Sequence, residues 1–94
     1  MAAYWMSKVQ ITDADGYAEY AKRAGPALEL HGGRILARGG RVVTLEGEEY
    51  PRNVLVEFDT VEQAVACYNS KEYQEAWEFQ KDAADRLVCI VEGV

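Results

Sequence analysis

The chain has 94 residues, of which 49% are hydrophobic and 28% are charged, and these proportions predict one folded globular domain over residues 1–94. Sixteen acidic and ten basic residues give a net charge of −6, and no run of Lys or Arg is present, which argues against a nucleic-acid partner. No apolar stretch reaches the roughly 18 to 20 residues that span a bilayer, and the N-terminus lacks a secretory pattern. We therefore expect a cytoplasmic protein without membrane contact.

The first two predicted elements are a strand and a long helix. Residues 3–11 alternate, with Trp5 and Val9 on one face and Tyr4 and Met6 on the other. Thr12 and Asp15 have the spacing of a capping box, and the helix that follows has a stripe of Tyr17, Tyr20, Ala21, Ala24 and Leu28.

This first helix contains one interruption and one stop signal. The pair Gly25-Pro26 predicts a kink or a fresh helix start, because proline lacks the backbone donor. The pair Gly32-Gly33 predicts the end of the helix, with His31 in its last turn.

The segment RILARGGRVVTLEG predicts a β-hairpin with a two-residue turn at Gly39-Gly40. In that register Arg38 faces Arg41, and both share one face with Arg34. The run NVLVEF predicts a central strand. Thr60 and Gln63 predict a second capping box ahead of a helix pair that is broken at Asn69-Ser70, and RLVCIVEGV predicts the last strand.

The overall order of elements is strand, helix, strand, strand, helix pair, strand. This β-α-β-β-α-β pattern predicts an α+β protein with a ferredoxin-like plait, in which a four-stranded, mainly antiparallel sheet carries its helices on one face. The other face is left open and apolar, and such patches indicate interfaces or ligand sites. We therefore expect a homodimer that pairs through this face.

Several segments resemble one bacterial family along nearly the whole chain. They are AYW, DGYAEYAK, HGGRILARGG, LEGE, VEF, YNSKEYQ and VEGV. On these segments the chain is similar to the domain-of-unknown-function 1330 family, which belongs to the dimeric α+β barrel superfamily. The resemblance implies a ferredoxin-like monomer whose sheet pairs with that of a partner. It implies no single chemistry, because the superfamily includes cofactor-free monooxygenases, isomerases, haem-degrading oxygenases and proteins without a known activity.

Two kinds of residue are candidates for chemistry. His31 is the only imidazole and is a candidate general base, although a structural role at the helix end explains it better. Arg34, Arg38 and Arg41 form a candidate anion site, since arginine grips carboxylates with two hydrogen bonds. A solvated or ion-paired arginine face is the alternative.

Glu57 and the tyrosines complete the set of candidates. Glu57 lies inside an apolar strand, where it needs a partner. It is a candidate proton carrier, but a salt bridge to one of the arginines explains it better. The aromatic residues at helical spacing predict core packing, with Tyr17 and Tyr68 as candidates for lining a pocket.

Metals and cofactors are not expected. One His and two distant Cys residues do not make a zinc site, and no phosphate-binding glycine motif precedes a helix. Cys67 and Cys89 are predicted to be reduced, packed thiols.

Two hypotheses for function follow from these residues. In the first, each subunit has a pocket for a small organic acid, where Arg34 or Arg38 holds the anion and His31 or Glu57 transfers a proton, with cofactor-free proton-transfer or oxygenase-type chemistry. In the second, the protein is a non-enzymatic dimeric binding or stress-associated module, and the same charged residues fix the dimer register.

Overall fold

The computed structural model describes residues 1–94 and confirms the α+β plait. Its elements are β1 (Ala3–Ile11), α1 (Ala14–Leu30), β2 (Arg34–Arg38), β3 (Arg52–Phe58), α2 (Val61–Tyr68), α3 (Lys71–Gln80) and β4 (Ala84–Glu92). The four strands form one antiparallel sheet in the order β2-β3-β1-β4, and the predicted helix pair is α2 and α3. None of the three helices is long and apolar enough to cross a bilayer.

Side-chain caps begin all three helices. The hydroxyls of Thr60 and Ser70 accept hydrogen bonds from backbone N–H groups three residues later, as the sequence predicts for Thr60. The cap of α1 is Asp13, not Thr12, because the carboxylate of Asp13 accepts from the Gly16 N–H. Thr12 instead donates its own N–H to the Ala83 carbonyl, which ties it to the start of β4.

Helix α1 runs without interruption through Pro26, so no fresh helix starts at Gly25-Pro26, whereas the alternative of a kink stays a prediction. Pro26 lies on the exposed side of the helix, where solvent can satisfy the Lys22 carbonyl that loses its usual donor. The helix ends at Leu30, and the N–H groups of Gly32 and Gly33 donate to carbonyls of its last turn. His31 is therefore the C-cap residue rather than a member of the last turn.

The predicted hairpin at Gly39-Gly40 is wrong. The N–H of Gly39 donates to the carbonyl of Asn53 at 3.0 Å, so the chain continues along β3 after Arg38 and does not turn back on itself. Residues 41–45 form no strand, although Val42, Val43 and Thr44 favour one, because strand propensity needs a pairing partner to be realised. Only the first arm of the predicted hairpin is a strand, and it pairs with β3.

The core lies between the helices and the face of β1 that carries Trp5. Trp5 is 2% exposed, and its ring lies 5.0 Å from that of Tyr73 in α3 and 5.7 Å from that of Tyr68 in α2. Phe58 of β3 stacks against it from the sheet. Alternation of buried and exposed residues along β1 thus holds as predicted, because only one face of the sheet is covered by helices.

The other face of the sheet, called here the open face, has no covering element. Met6 of β1 is paired with Leu55 of β3 and Cys89 of β4, and with Leu87 these residues line a shallow cleft of ≈ 520 Å³. Met6 is 43% exposed and Leu87 is 56% exposed. The total exposed surface of 5914 Å² exceeds the roughly 5,400 Å² expected of a compact monomer of this mass.

Candidate functional site

A narrow cavity lies between the sheet and α1. Its wall is formed mainly by apolar residues of β1, α1, β2 and β3, together with a few polar side chains: Trp5, Ser7, Tyr17, Tyr20, Ala21, Ala24, Gly25, Leu28, Ile35, Arg38, Arg52 and Val54. The free volume is ≈ 30 Å³, against about 10–15 Å³ for a single water molecule. The space suits one or two water molecules or the head group of a small ligand.

Two arginines supply the charge of this cavity. Arg38 and Arg52 form no ion pair, although the chain has six more acidic than basic residues (16 against 10). The Nε of Arg52 is buried and has no hydrogen-bond partner, and its guanidinium lies over the Tyr17 ring at 5.4 Å. A buried cationic donor without an acceptor is costly, so the cavity has the electrostatic character of an anion site.

A β-bulge decides which arginines reach the cavity. In β2, Ile35 pairs with Val56 and Ala37 with Leu55, which leaves Leu36 as an extra residue between them. Arg34 is consequently opposite Glu57 on the open face, whereas Arg38 is opposite Val54 on the helix face. The prediction that Arg34, Arg38 and Arg41 share one face is therefore wrong, and Arg41 lies outside the sheet altogether.

Glu57 is held by Arg34 on the open face. The Nε of Arg34 donates to Glu57 Oε1 at 2.9 Å, and its Nη2 donates to Asp59 Oδ1 at 3.0 Å. The Tyr4 hydroxyl donates to the other carboxylate oxygen of Glu57 at 3.3 Å. The expected salt bridge between Glu57 and an arginine is confirmed, and it lies across the sheet from the cavity.

His31 lies in a third place, at the junction of α1 and α3. Its Nε2 is 2.9 Å from Glu72 Oε1, and this hydrogen bond is the main cause that lowers the pKa of Glu72. The side chain of Gln63 donates to the His31 carbonyl at 3.0 Å. His31, Glu57 and Arg38 thus do not form one constellation, and proton transfer by His31 or Glu57 stays a prediction.

The two candidate tyrosines, Tyr17 and Tyr68, lie in different places. Tyr17 lines the cavity beside Arg52, and burial is the main cause that raises its pKa, which keeps its hydroxyl protonated. Tyr68 packs on Trp5 and lines a different, apolar groove between α2 and β4.

Arg52 was missed by the sequence analysis, although the pattern contains its signal. In RNVLVEF, Arg52 is two residues before Val54 and four before Val56, so strand alternation places it on the same face as the buried Val56. The sequence analysis placed Arg52 at the end of the preceding polar loop, EGEEYPR, and so did not count it as a strand residue.

The two cysteines differ in environment. Cys67 is fully buried, and burial raises the pKa of its thiol to about 11, so it is a poor nucleophile at neutral pH. Cys89 is exposed on the open face, so the prediction that it is packed is wrong. No three His, Cys, Asp or Glu residues lie together in a way that could hold a metal ion.

Comparison of the sequence with protein families gives one match. The model of the family described as a domain of unknown function, DUF1330, matches residues 2–94. No curated protein shows significant similarity to the chain.

Solved structures with the same fold are more distant in sequence. A protein of unknown function from Rhodopseudomonas palustris is 21% identical with a TM-score of 0.79, over 99% of this chain and 82% of that one. A cofactor-independent oxygenase from Streptomyces nogalater is 5% identical with a TM-score of 0.69, over 99% and 93%. A dimeric ferredoxin-like protein of unknown function from Thermobifida fusca is 13% identical with a TM-score of 0.63, over 99% and 92%.

Proposed function

We propose that this chain, which belongs to the DUF1330 family, binds a small organic anion through its carboxylate in the cavity between the sheet and α1. The observation that carries the proposal is the buried Nε of Arg52, which has no hydrogen-bond partner. Arg38 provides a second guanidinium in the same wall, and guanidinium groups hold carboxylates through charge-assisted hydrogen bonds.

The composition of the wall favours binding over reaction. Its polar side chains are Ser7, Tyr17, Tyr20, Arg38 and Arg52, and no Asp, Glu or His lines the cavity. These groups offer positive charge and hydrogen-bond donors, but none is a general base near neutral pH. Proton transfer by His31 or Glu57 would have to occur outside this cavity, since both side chains form hydrogen bonds with other residues elsewhere.

The homodimer is the second part of the proposal. The open face exposes Met6, Leu87 and Val91 to 43%, 56% and 47%, and burial of such apolar area stabilises an interface by about 25 cal/mol per Å². A structural relative is described as dimeric. We place this dimer in the cytoplasm of a bacterium, in keeping with the sequence expectation.

Calorimetric titration with sodium acetate and sodium benzoate, at constant ionic strength against sodium chloride, tests the binding proposal. Each charge-assisted hydrogen bond contributes about 1.5–3 kcal/mol, so Arg38→Met and Arg52→Met should each weaken binding by roughly 10- to 150-fold. Arg34→Met is the matched control, because it removes the same side chain from the opposite face and should leave the affinity unchanged. Equal affinities in all four proteins, or no binding by the unsubstituted protein, would contradict the proposal.

A further inference from the structure

The segment after β2 has a strand-forming sequence but no strand partner. Residues 41–46, called here the arm, have the sequence RVVTLE, and Val43 and Leu45 are 65% and 88% exposed. No backbone–backbone hydrogen bond joins the arm to any other part of the chain. Exposed apolar residues with unpaired backbone groups are suited to pairing with the edge of a sheet.

Strand β4 is one edge of the sheet, and the outer side of its backbone has no partner. The N–H of Gly93 donates to the Ala2 carbonyl, which makes these two residues a hydrogen-bonded pair in the ladder between β1 and β4. Pairs of this kind alternate along an antiparallel ladder, so the backbone groups of Val88, Ile90 and Glu92 point outward. The middle of β4, LVCIV, contains no charge or proline that would discourage pairing.

The two edges of the sheet differ in how they are protected. The edge strand β2 has five residues, an arginine at each end and the bulge at Leu36, all of which discourage pairing with another chain. Strand β4 has nine residues and borders the apolar groove with α2, which has a volume of ≈ 360 Å³ and is lined by six hydrophobic residues. A strand added to β4 would present every second side chain on the side of this groove.

The arm of the same chain cannot reach the outer side of β4. Gly39 is fixed on β3 by its hydrogen bond to Asn53, and the four residues from Gly39 to Val43 span at most about 14 Å when fully extended. In the strand order β2-β3-β1-β4 the outer side of β4 is four strand positions from β2, which is about 19 Å at the usual spacing of strands. An arm that pairs there must therefore come from a second copy of the chain.

The positions of the apolar side chains select one register for this pairing. Directly opposite residues of an antiparallel pair lie on the same face. Val43 opposite Ile90 brings two apolar side chains together on the side of the groove, and in the same register Leu45 is opposite Val88. A shift by two residues in either direction would set one of the arm's apolar residues against a charged residue of β4. A shift by one residue would put the Thr44 hydroxyl on the side of the apolar groove.

Charge favours the same register. It places Arg41 opposite Glu92, and neither of these residues forms an ion pair within the chain. An opposite-charge pair across two strands stabilises their pairing. On the other face of the added strand, this register places Thr44 opposite the exposed Cys89.

We propose that the arm of each subunit pairs antiparallel with the outer side of β4 of a second copy, as a fifth strand of that sheet. This inference rests on the homodimer of the proposed function, and it adds the segment that one copy gives to the other. The arm already lies beside the open face, where it lines a cleft of ≈ 510 Å³ together with Lys8 and Leu87. It is therefore continuous with the surface proposed to form the dimer.

A disulfide between the arm and the native thiol of Cys89 tests this pairing. Thr44→Cys places a thiol directly opposite Cys89, and the Cα atoms of such a non-hydrogen-bonded pair are about 4.5 Å apart, which a disulfide can bridge. In a glutathione redox buffer this variant should form a covalent dimer, in which peptide mass spectrometry identifies a link between positions 44 and 89. Val43→Cys is the matched control, because its side chain points to the other face, and it should form at least about tenfold less covalent dimer.

The outcomes separate this inference from the proposed homodimer. Equal amounts of covalent dimer in the two variants, or none in Thr44→Cys, overturn the arm pairing, while sedimentation of the unsubstituted protein as a dimer keeps the homodimer. A Cys89–Cys89 disulfide between unsubstituted chains would show that two β4 edges pair with each other, and it also overturns the inference. So does a covalent dimer of Thr44→Cys that persists when Cys89→Ser is added. An unsubstituted protein that sediments as a monomer at all concentrations overturns both.

Discussion

On the open face of the sheet Arg34 meets two carboxylates, whereas on the helix face Arg38, Arg52 and Arg86 meet none. The arginine of the open face is therefore ion-paired, and the centre of this face is apolar, which suits contact with another protein surface. The helix face is apolar in its core and carries uncompensated positive charge beside the cavity. The comparison shows that arginines of the same sheet have different environments because they lie on different faces.

The largest expected loss of stability comes from truncating a side chain in the core on the helix face. Trp5→Ala removes a ring that packs on Phe58, Tyr68 and Tyr73, and such a truncation costs about 3–5 kcal/mol of unfolding free energy. Met6→Ala, one position along β1 and on the open face, should cost less than about 1 kcal/mol in dilute monomeric protein. Urea denaturation compares the two, and equal losses would show that the open face is packed as tightly as the core.

A charge placed on the open face should weaken the proposed dimer. Met6→Glu puts a carboxylate at the centre of the proposed interface, where an unpaired buried charge costs several kcal/mol, so the dimer should dissociate at least about 100-fold more readily. Analytical ultracentrifugation over a concentration series measures this. Leu30→Glu, at the exposed end of α1, is the control and should leave the oligomeric mass unchanged. A Met6→Glu dimer of undiminished affinity would move the interface elsewhere.

The arginines of the two faces should respond to truncation in opposite directions. Without an added anion, Arg52→Met removes an uncompensated cation and should leave the unfolding free energy unchanged or raise it by up to about 1 kcal/mol. Arg34→Met breaks an ion pair at the surface and should lower the unfolding free energy slightly. Chemical denaturation measures both unfolding free energies. A larger loss of stability for Arg52→Met than for Arg34→Met would show that Arg52 has a structural role.

The smallest expected effect concerns Glu72, which lies on neither face of the sheet. The pKa of Glu72 is lowered in the folded state, chiefly by its hydrogen bond with His31, so this carboxylate stabilises the fold above its unfolded pKa of about 4.3. That contribution is lost as the pH falls through the lower, folded pKa.

Thermal melts between pH 6 and pH 3 test this expectation. Glu72→Gln should melt slightly below the unsubstituted protein at pH 6 and converge with it near pH 3. Glu62→Gln is the control, since Glu62 also lies in the first turn of a helix but forms no ion pair. A melting difference for Glu72→Gln that does not change with pH would show that the carboxylate charge is not responsible.

Sequence patterns were reliable where a single local interaction decides the structure. Alternation along β1 follows from burial of one face, and the Thr60 cap follows from one hydroxyl and one N–H group. The pattern failed at Gly39-Gly40, because a hairpin competes with the pairing of β2 with β3, and the outcome depends on residues more than ten positions away. The chosen arrangement satisfies the Gly39 N–H through Asn53.

The candidate site was predicted only in part for the same reason. Arg38 and Tyr17 were identified as residue types suited to an anion pocket, and both line the cavity. The clustering of His31 and Glu57 with Arg38 was inferred from chemistry without distances, whereas His31 forms a hydrogen bond with Glu72 and Glu57 accepts from Arg34. Arg52 was missed as a site residue, since its importance comes from a donor left unpaired in three dimensions.

The bulge at Leu36 has a consequence for comparing members of the family. One extra residue changes the parity of β2, so that Arg34 and Arg38 lie on opposite faces although four positions separate them. In a relative that pairs the same strand without a bulge, arginines at the two aligned positions would point to the same side. Sequence equivalence at this strand is therefore not equivalence of environment, and a functional arginine is transferable between relatives only together with the residue that sets the parity.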